Sequence, residues 1–251
     1  MASLSIARSN RVSARAWFKL SAIIILLAWC LPMHGFYRVV RMRSPWPRRF
    51  LRDAGRLAGA RVTIRGVPQT ANVLFVSNHL SWLDILIVAG TTGSAFVARA
   101  DMAPWPVIGW LASLNRSVYV ARERRSTVDA QAAAIRAALA NGQPLTLFPE
   151  GTPANGLALL PFRSALLAAV ASPPAGIAIQ PVAIDYGRCA AEIAWIDDES
   201  FGKNALRILA KRDAIDVTIH FLEPLGDESV SDRKVMTAQC QAAIAAALGL
   251  A

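Results

Sequence analysis

Hydrophobic and polar positions change rhythm along this chain. From Leu20 to Met33 it reads LSAIIILLAWCLPM, 14 residues without a charge. Residues 44–58 pattern as a basic amphipathic helix, opened by Pro45 and Pro47 and closed by Gly59. After that, short apolar runs alternate with helical stretches. Val62 and Ile64 alternate with polar neighbours. VLFVS (73–77), AFVA (95–98), SVYV (117–120), LTLF (145–148), IQPVAI (179–184) and IDVTIHF (215–221) predict further strands. Helices are expected near 82–90, 105–113, 127–140, 162–172 and 232–248, with Ser126 and Asp129 as a cap pair and Asn141-Gly142 as a stop. Continuous apolar strands alternating with helices predict an α/β fold, a central mostly parallel sheet flanked by helices. The change of pattern divides the chain into an N-terminal helical pair at 1–58 and an α/β domain at 59–251.

Composition sharpens the reading of the first part. The 251 residues are 54% hydrophobic and 18% charged, which excludes disorder. The net charge is +10, and its spread is uneven. Residues 1–65 hold 13 Lys or Arg and a single acid, Asp53, whereas the remainder carries a net −2. A basic first quarter fits an anionic surface. Nucleic acid would account for the arginines but not for the apolar run between them; a membrane accounts for both. A full span needs about 20 apolar residues. The expectation is therefore a helix dipping into one leaflet, with a single span as second reading and a buried core helix as third. A secretory signal is a rival, but no A-x-A-like site follows the run. Cys30, Cys189 and Cys240 match no zinc spacing and read as thiols of a reducing compartment.

Candidate chemistry gathers at strand ends. Strand 73–77 runs into Asn78-His79-Leu80-Ser81-Trp82-Leu83-Asp84 ahead of an apolar helix, and the carboxyl ends of strands are where open α/β sheets place their sites. Asp84 has two readings of equal standing. It pairs with His79 as a general base, or it is the third residue of a helix capped by Ser81. A second cluster, Phe148-Pro149-Glu150-Gly151-Thr152, follows strand 145–148 on the same edge. A third candidate, Arg122, stands just past strand 117–120 as an anion clamp. His34 lies in the apolar segment, and His220 falls on the polar phase of its strand. No G-x-G-x-x-G, P-loop or G-x-S-x-G stands in the sequence, which argues against nucleotide binding and against a serine hydrolase.

These blocks resemble those of the glycerolipid acyltransferase family, which includes the bacterial lysophosphatidate acyltransferases. Asn78-His79 through Asp84 resembles the H-x4-D block and Phe148 to Thr152 the FPEGT block. Pro106 to Gly109 with Val118 to Arg122, and Gln180 to Ile184, resemble two looser blocks, so that the resemblance runs from about residue 60 to 225. It implies transfer of a fatty acyl group from acyl-CoA or acyl carrier protein, a co-substrate rather than a cofactor, with no metal. The acceptor it implies is the sn-2 hydroxyl of 1-acylglycerol-3-phosphate, giving phosphatidate. Lyso-ornithine lipid is the alternative acceptor, and an inactive lipid-binding protein the non-enzymatic one. His79 would be the base and Asp84 its orienting partner. Arg122, Glu150, Gly151 and Thr152 would hold the acceptor's phosphate, and backbone amides at Ser81–Leu83 would serve a developing oxyanion. The resemblance also implies membrane lipids as partners, no nucleic acid, and a place on the cytoplasmic face of a bacterial inner membrane. Two positions depart from the pattern. Pro153 stands where the family carries Arg after FPEGT, with Arg163 the candidate to compensate, and Arg99 stands where members often carry Lys.

Overall fold

The computed structural model describes residues 13–105, 107–120, 128–168, 176–196, 199–230 and 232–250. Two helices come first, α1 (Ala14–Val39) and α2 (Trp46–Ala58). The α/β part follows as β1 (Ala60–Arg65), β2 (Val73–Ser77), α3 (Trp82–Thr92), β3 (Ala95–Arg99), α4 (Ile108–Leu114), β4 (Val118–Val120), α5 (Val128–Ala140) and β5 (Leu145–Leu147). Then come α6 (Ser164–Leu167), β6 (Ala178–Asp185), α7 (Ala190–Ile193), α8 (Phe201–Leu209), β7 (Ile215–Phe221), α9 (Asp227–Val230) and α10 (Arg233–Ala247). Helix α8 was not foreseen; Ser200 caps it and accepts from Lys203 N at 3.4 Å. The expected helix at 162–172 is seen only as α6, because 169–175 lie outside the described residues. The Ser126 cap lies outside them too.

Among the described residues the strands form one sheet in the order β1-β7-β6-β2-β5-β3-β4. All neighbours pair in parallel except β6 with β7. Consequently β6, β2, β5, β3 and β4 run one way, and β7 and β1 run the other. The predicted mostly parallel sheet is present. β2 pairs on both sides and is buried along its whole length, as the unbroken apolar run VLFVS requires. One face of the sheet packs Phe75, Ile184 and Ile219 against α3 and α8; the other packs Leu74, Leu145 and Ile179 against α5 and α10. β7 alternates as its sequence does, with Ile215, Val217, Ile219 and Phe221 buried and His220 on the more open phase.

Helix α1 extends well past the 14-residue run, to 26 residues or about 39 Å. Lys19, which interrupts the apolar count, turns inward and donates to Ala58 O at 3.1 Å and Lys211 O at 3.3 Å. Pro32 falls inside the helix on its exposed side. The inward stripe of Ala16, Ile23, Leu27 and Cys30 packs on the body, with Phe50 and Ala54 of α2 beside it. Gly59 ends α2 at φ 113°, a conformation that spares a Cβ penalty only for glycine, and lets the chain turn straight into β1.

Candidate active site

The loop after β2 is built around buried polar atoms with assigned partners. Asn78 follows the strand directly and bridges to β6 as a surrogate backbone: its Nδ2 donates to Ile184 O at 3.0 Å, and Ile184 N donates to its Oδ1 at 2.8 Å. That pairing fixes the exit of the chain toward His79. Ser81 then caps α3, with Asp84 closing the reciprocal capping box.

Both readings of Asp84 hold at once. Its Oδ2 accepts from Ser81 N at 2.9 Å and Leu80 N at 2.6 Å, and lies 2.8 Å from His79 Nδ1. Its Oδ1 accepts from the Tyr186 hydroxyl at 2.6 Å. The carboxylate is fully buried and its neighbours on Oδ2 include two backbone donors, so the His79 contact is a hydrogen bond from Nδ1–H. Nε2 is thereby the ring nitrogen left with a lone pair. The imidazole lies flat on Phe148, centroids 4.1 Å apart, and Phe148 in turn stacks on Phe96 at 5.7 Å. His79 keeps 15% of its side chain exposed against none for Asp84.

The FPEGT cluster is stitched to the same loop. Glu150 Oε1 accepts from His79 N at 3.0 Å, its Oε2 accepts from Leu160 N at 3.2 Å, and Ala154 N donates to His79 O at 2.7 Å. Burial pushes the Glu150 carboxyl up to about 7, against the two amide bonds, which favour its ionised form. Gly151 turns at φ 75°, and Thr152 is half-buried beside it. Arg163 N donates to Pro149 O at 2.9 Å, and the Arg163 side chain is exposed. The structure therefore brings together His79, Asp84, Glu150, Gly151 and Thr152, with Arg163 held at their edge. Arg122 lies outside the described residues.

One expectation is corrected. The amides of Ser81 and Leu83 do not face an oxyanion: Ser81 N is taken by Asp84 and Leu83 N by the Ser81 hydroxyl at 3.4 Å. The helix start spends these two of the three expected donors on its own cap; the Trp82 amide is not among those it uses. Tyr186 is the residue that sequence reasoning missed. It sits one position beyond β6, on the strand edge that carries His79, and that position was the available signal. Its hydroxyl is held far above the ordinary tyrosine range by burial first and by the Asp84 charge second, so it stays a donor. Among the described residues no three His, Cys, Asp or Glu side chains gather as a metal-binding group.

Comparison with known proteins bears on the family and the fold. A family model described as "Acyltransferase" matches residues 61–185, which include β2, α3 and the Glu150 loop. The lyso-ornithine lipid O-acyltransferase of Brucella abortus is 33% identical over 241 residues, spanning 88% of this chain and 89% of that protein. The 1-acyl-sn-glycerol-3-phosphate acyltransferase of Neisseria gonorrhoeae is 34% identical over 123 residues, spanning 49% of this chain and 48% of its own. The crystal structure of PlsC, the 1-acyl-sn-glycerophosphate acyltransferase of Thermotoga maritima, shares the fold: the TM-score is 0.69 at 19% identity, covering 95% of this chain and 93% of that one. By the family match, the near full-length Brucella relative and the shared fold, the chain belongs to the PlsC-like family of lysolipid acyltransferases.

Proposed function

We propose that this acyltransferase is a lyso-ornithine lipid O-acyltransferase, with His79 as general base. The observation that carries the chemistry is the His79–Asp84 contact, which leaves Nε2 free to take a proton. The acceptor hydroxyl gives its proton to Nε2 while its oxygen attacks the thioester carbonyl of acyl-CoA or acyl carrier protein. The carbon–sulfur bond then breaks, and the departing thiolate recovers the proton from the imidazolium. Asp84 keeps the ring in the working tautomer throughout.

Two facts support ornithine over phosphate in the acceptor head group. The Brucella relative matches nearly the whole chain, whereas the Neisseria one matches about half. Pro153 also removes the cation that the family pattern sets beside FPEGT. The second reading, transfer to the sn-2 hydroxyl of 1-acylglycerol-3-phosphate, is favoured by Arg163, an exposed cation tethered to the same loop.

Helix α1 supports a place in the plane of one leaflet. It is long and apolar enough to cross a bilayer, with mean hydropathy 1.8 over its most apolar stretch. Its inner face, however, packs along α2, and crossing would draw Arg48, Arg49, Arg52 and Arg56 into hydrocarbon. Lying flat puts those arginines at the level of lipid phosphates, and the cytoplasmic leaflet of a bacterial inner membrane suits them. The test is head-group analysis of product made by the purified full chain from labelled acyl donor, offered lyso-ornithine lipid and lysophosphatidate in parallel. Labelled ornithine lipid is the expected product. Labelled phosphatidate alone establishes the second reading, and no labelled lipid from either acceptor leaves a lipid-binding protein without this activity.

A further inference from the structure

Away from His79, α2, the second half of α3 and the edge strand β1 enclose an open groove of about 710 Å³, a volume within the ~300–1,000 Å³ range of small-molecule sites. β1 stands three places from β2 in the sheet order, roughly 14 Å at ordinary strand spacing, and neither His79 nor Asp84 lines the groove. Its floor is apolar. Val62 and Ile64 are 39% and 49% exposed, although their register partners Val217 and Ile219 on β7 are covered. Leu57 and Ile87 continue this floor.

The rim is cationic. Arg48, Arg52 and Arg56 follow one another at four-residue spacing along one face of α2. Lys19 of α1 and Arg212 of the turn before β7 complete it, and Asp213 is the sole carboxylate among the lining residues. Several of these cations have internal duties. Arg48 donates to the carbonyls of Gly90 and Thr91, and Arg52 and Arg56 both meet Asp53. Arg212 is exposed, and its guanidinium has no acid partner among the described residues. An apolar floor under a cationic rim is complementary to an anionic amphiphile. A bare anion would use the rim and leave the floor wet, and an acidic protein would need a wider seat.

We propose that this groove binds one anionic phospholipid of the bilayer, its phosphate on Arg212 at the cationic rim and one acyl chain along Val62, Ile64 and Ile87. The bilayer is the source because Lys19 ties the groove to α1, the helix whose opposite face is apolar and exposed. Occupancy would cover the apolar stripe of an unpaired sheet edge and fasten the body to anionic membrane at a second point. The inference rests on the membrane placement argued above and is independent of the acceptor's identity.

The test is native mass spectrometry of the full chain in neutral detergent, titrated with phosphatidylglycerol or phosphatidylcholine. One retained phosphatidylglycerol per chain is expected. Arg212→Ala should weaken it roughly fivefold, at one cation's contribution, and leave phosphatidylcholine unchanged. Val62→Ser with Ile64→Ser, both at exposed positions, should weaken both lipids. Equal phosphatidylglycerol affinity in the wild type and the arginine variant overturns the proposal, as does full displacement by millimolar inorganic phosphate, which would mark a simple ion site. Turnover on detergent-dispersed acceptor should be unchanged in the arginine variant. A parallel fall in turnover would make the groove part of the catalytic site and overturn the proposal as well. A chain that fails to acylate any lysolipid yet still retains phosphatidylglycerol would sink the enzymatic reading and leave this site standing.

Discussion

Around the loop after β2, Asp84 in the first turn of α3 and Glu150 just past β5 are buried, and every oxygen of their carboxylates has a hydrogen-bond partner. The outer face of α1 does the reverse, holding Phe18, Ile25 and Trp29 in solvent at 74%, 69% and 64% exposure with no polar partner to gain. A charge taken from water needs donors supplied by the protein itself. A large apolar face left in water needs a different solvent. The first region is therefore complete as it stands, whereas the second is complete only against lipid. Contact with a bilayer would satisfy the outer face of α1.

The largest effect should come from removing the apolar side of that comparison. Trp17, Ile24, Ile25 and Trp29 are exposed, so Ser at all four leaves the inward stripe of α1 packed. Each side chain is worth about 1.5–3 kcal/mol on transfer out of water, or roughly 6–12 kcal/mol together. The wild-type chain should remain in membranes through a high-salt wash, and the fourfold variant should be stripped by it. A variant that stays bound in salt shows that this face is not inserted. Next comes the loop itself. His79→Ala should lower turnover about 10²–10⁴-fold with little change in melting temperature, read by an acyl-transfer assay beside a thermal melt. Near-normal turnover would remove His79 from the role of base.

Legibility followed the same division. β2 and β7 were readable because burial on two faces or one writes itself into consecutive or alternating apolar residues. His79, Asp84 and the Glu150 loop were readable as strand-end motifs. Tyr186 was not, because a lone tyrosine past a strand carries no pattern; its partner is fixed only when β6 aligns beside β2. β1 was legible as a strand and no further. Its alternation of Val62 and Ile64 is real, yet the apolar phase faces a groove rather than a core, and periodicity reports the face without reporting what covers it. Two of the three oxyanion donors expected at Ser81–Leu83 are taken for a related reason. A helix start offers free amides only if no side chain caps it, and Ser81 and Asp84 do.

The satisfied loop has one internal tension, which pH should expose. Glu150 ordinarily titrates near 4.5 and is raised to about 7 here, chiefly by burial. The folded state therefore holds this proton more tightly than the unfolded chain. The stabilisation is fully present below about 4.5 and is lost as pH rises through about 7, by on the order of 3 kcal/mol. Melts between pH 4.5 and 8 should show wild-type stability declining relative to Glu150→Gln, which has no proton to lose. Parallel curves for the two proteins would show that Glu150 titrates in the fold as it does in the unfolded chain.

The smallest effect separates orientation from packing inside the loop. Tyr186→Phe keeps the ring and deletes the hydroxyl that donates to Asp84 Oδ1 at 2.6 Å. A buried acceptor left without its donor costs about 1–3 kcal/mol. Part of that cost should fall on the carboxylate that aims His79, because Oδ2 keeps its two backbone donors and can swing only about them. Tyr186 is on this account a positioning residue. The expected result is a kcat lowered about tenfold with KM unchanged for donor and acceptor, since neither substrate loses a contact. A melting temperature a few degrees lower would accompany either role and decides nothing. The decisive measurement is the double variant with Asp84→Asn. If Tyr186 acts through the carboxylate, its substitution adds almost nothing once the carboxylate is gone. Full additivity of the two losses would show that Tyr186 only fills space beside the loop.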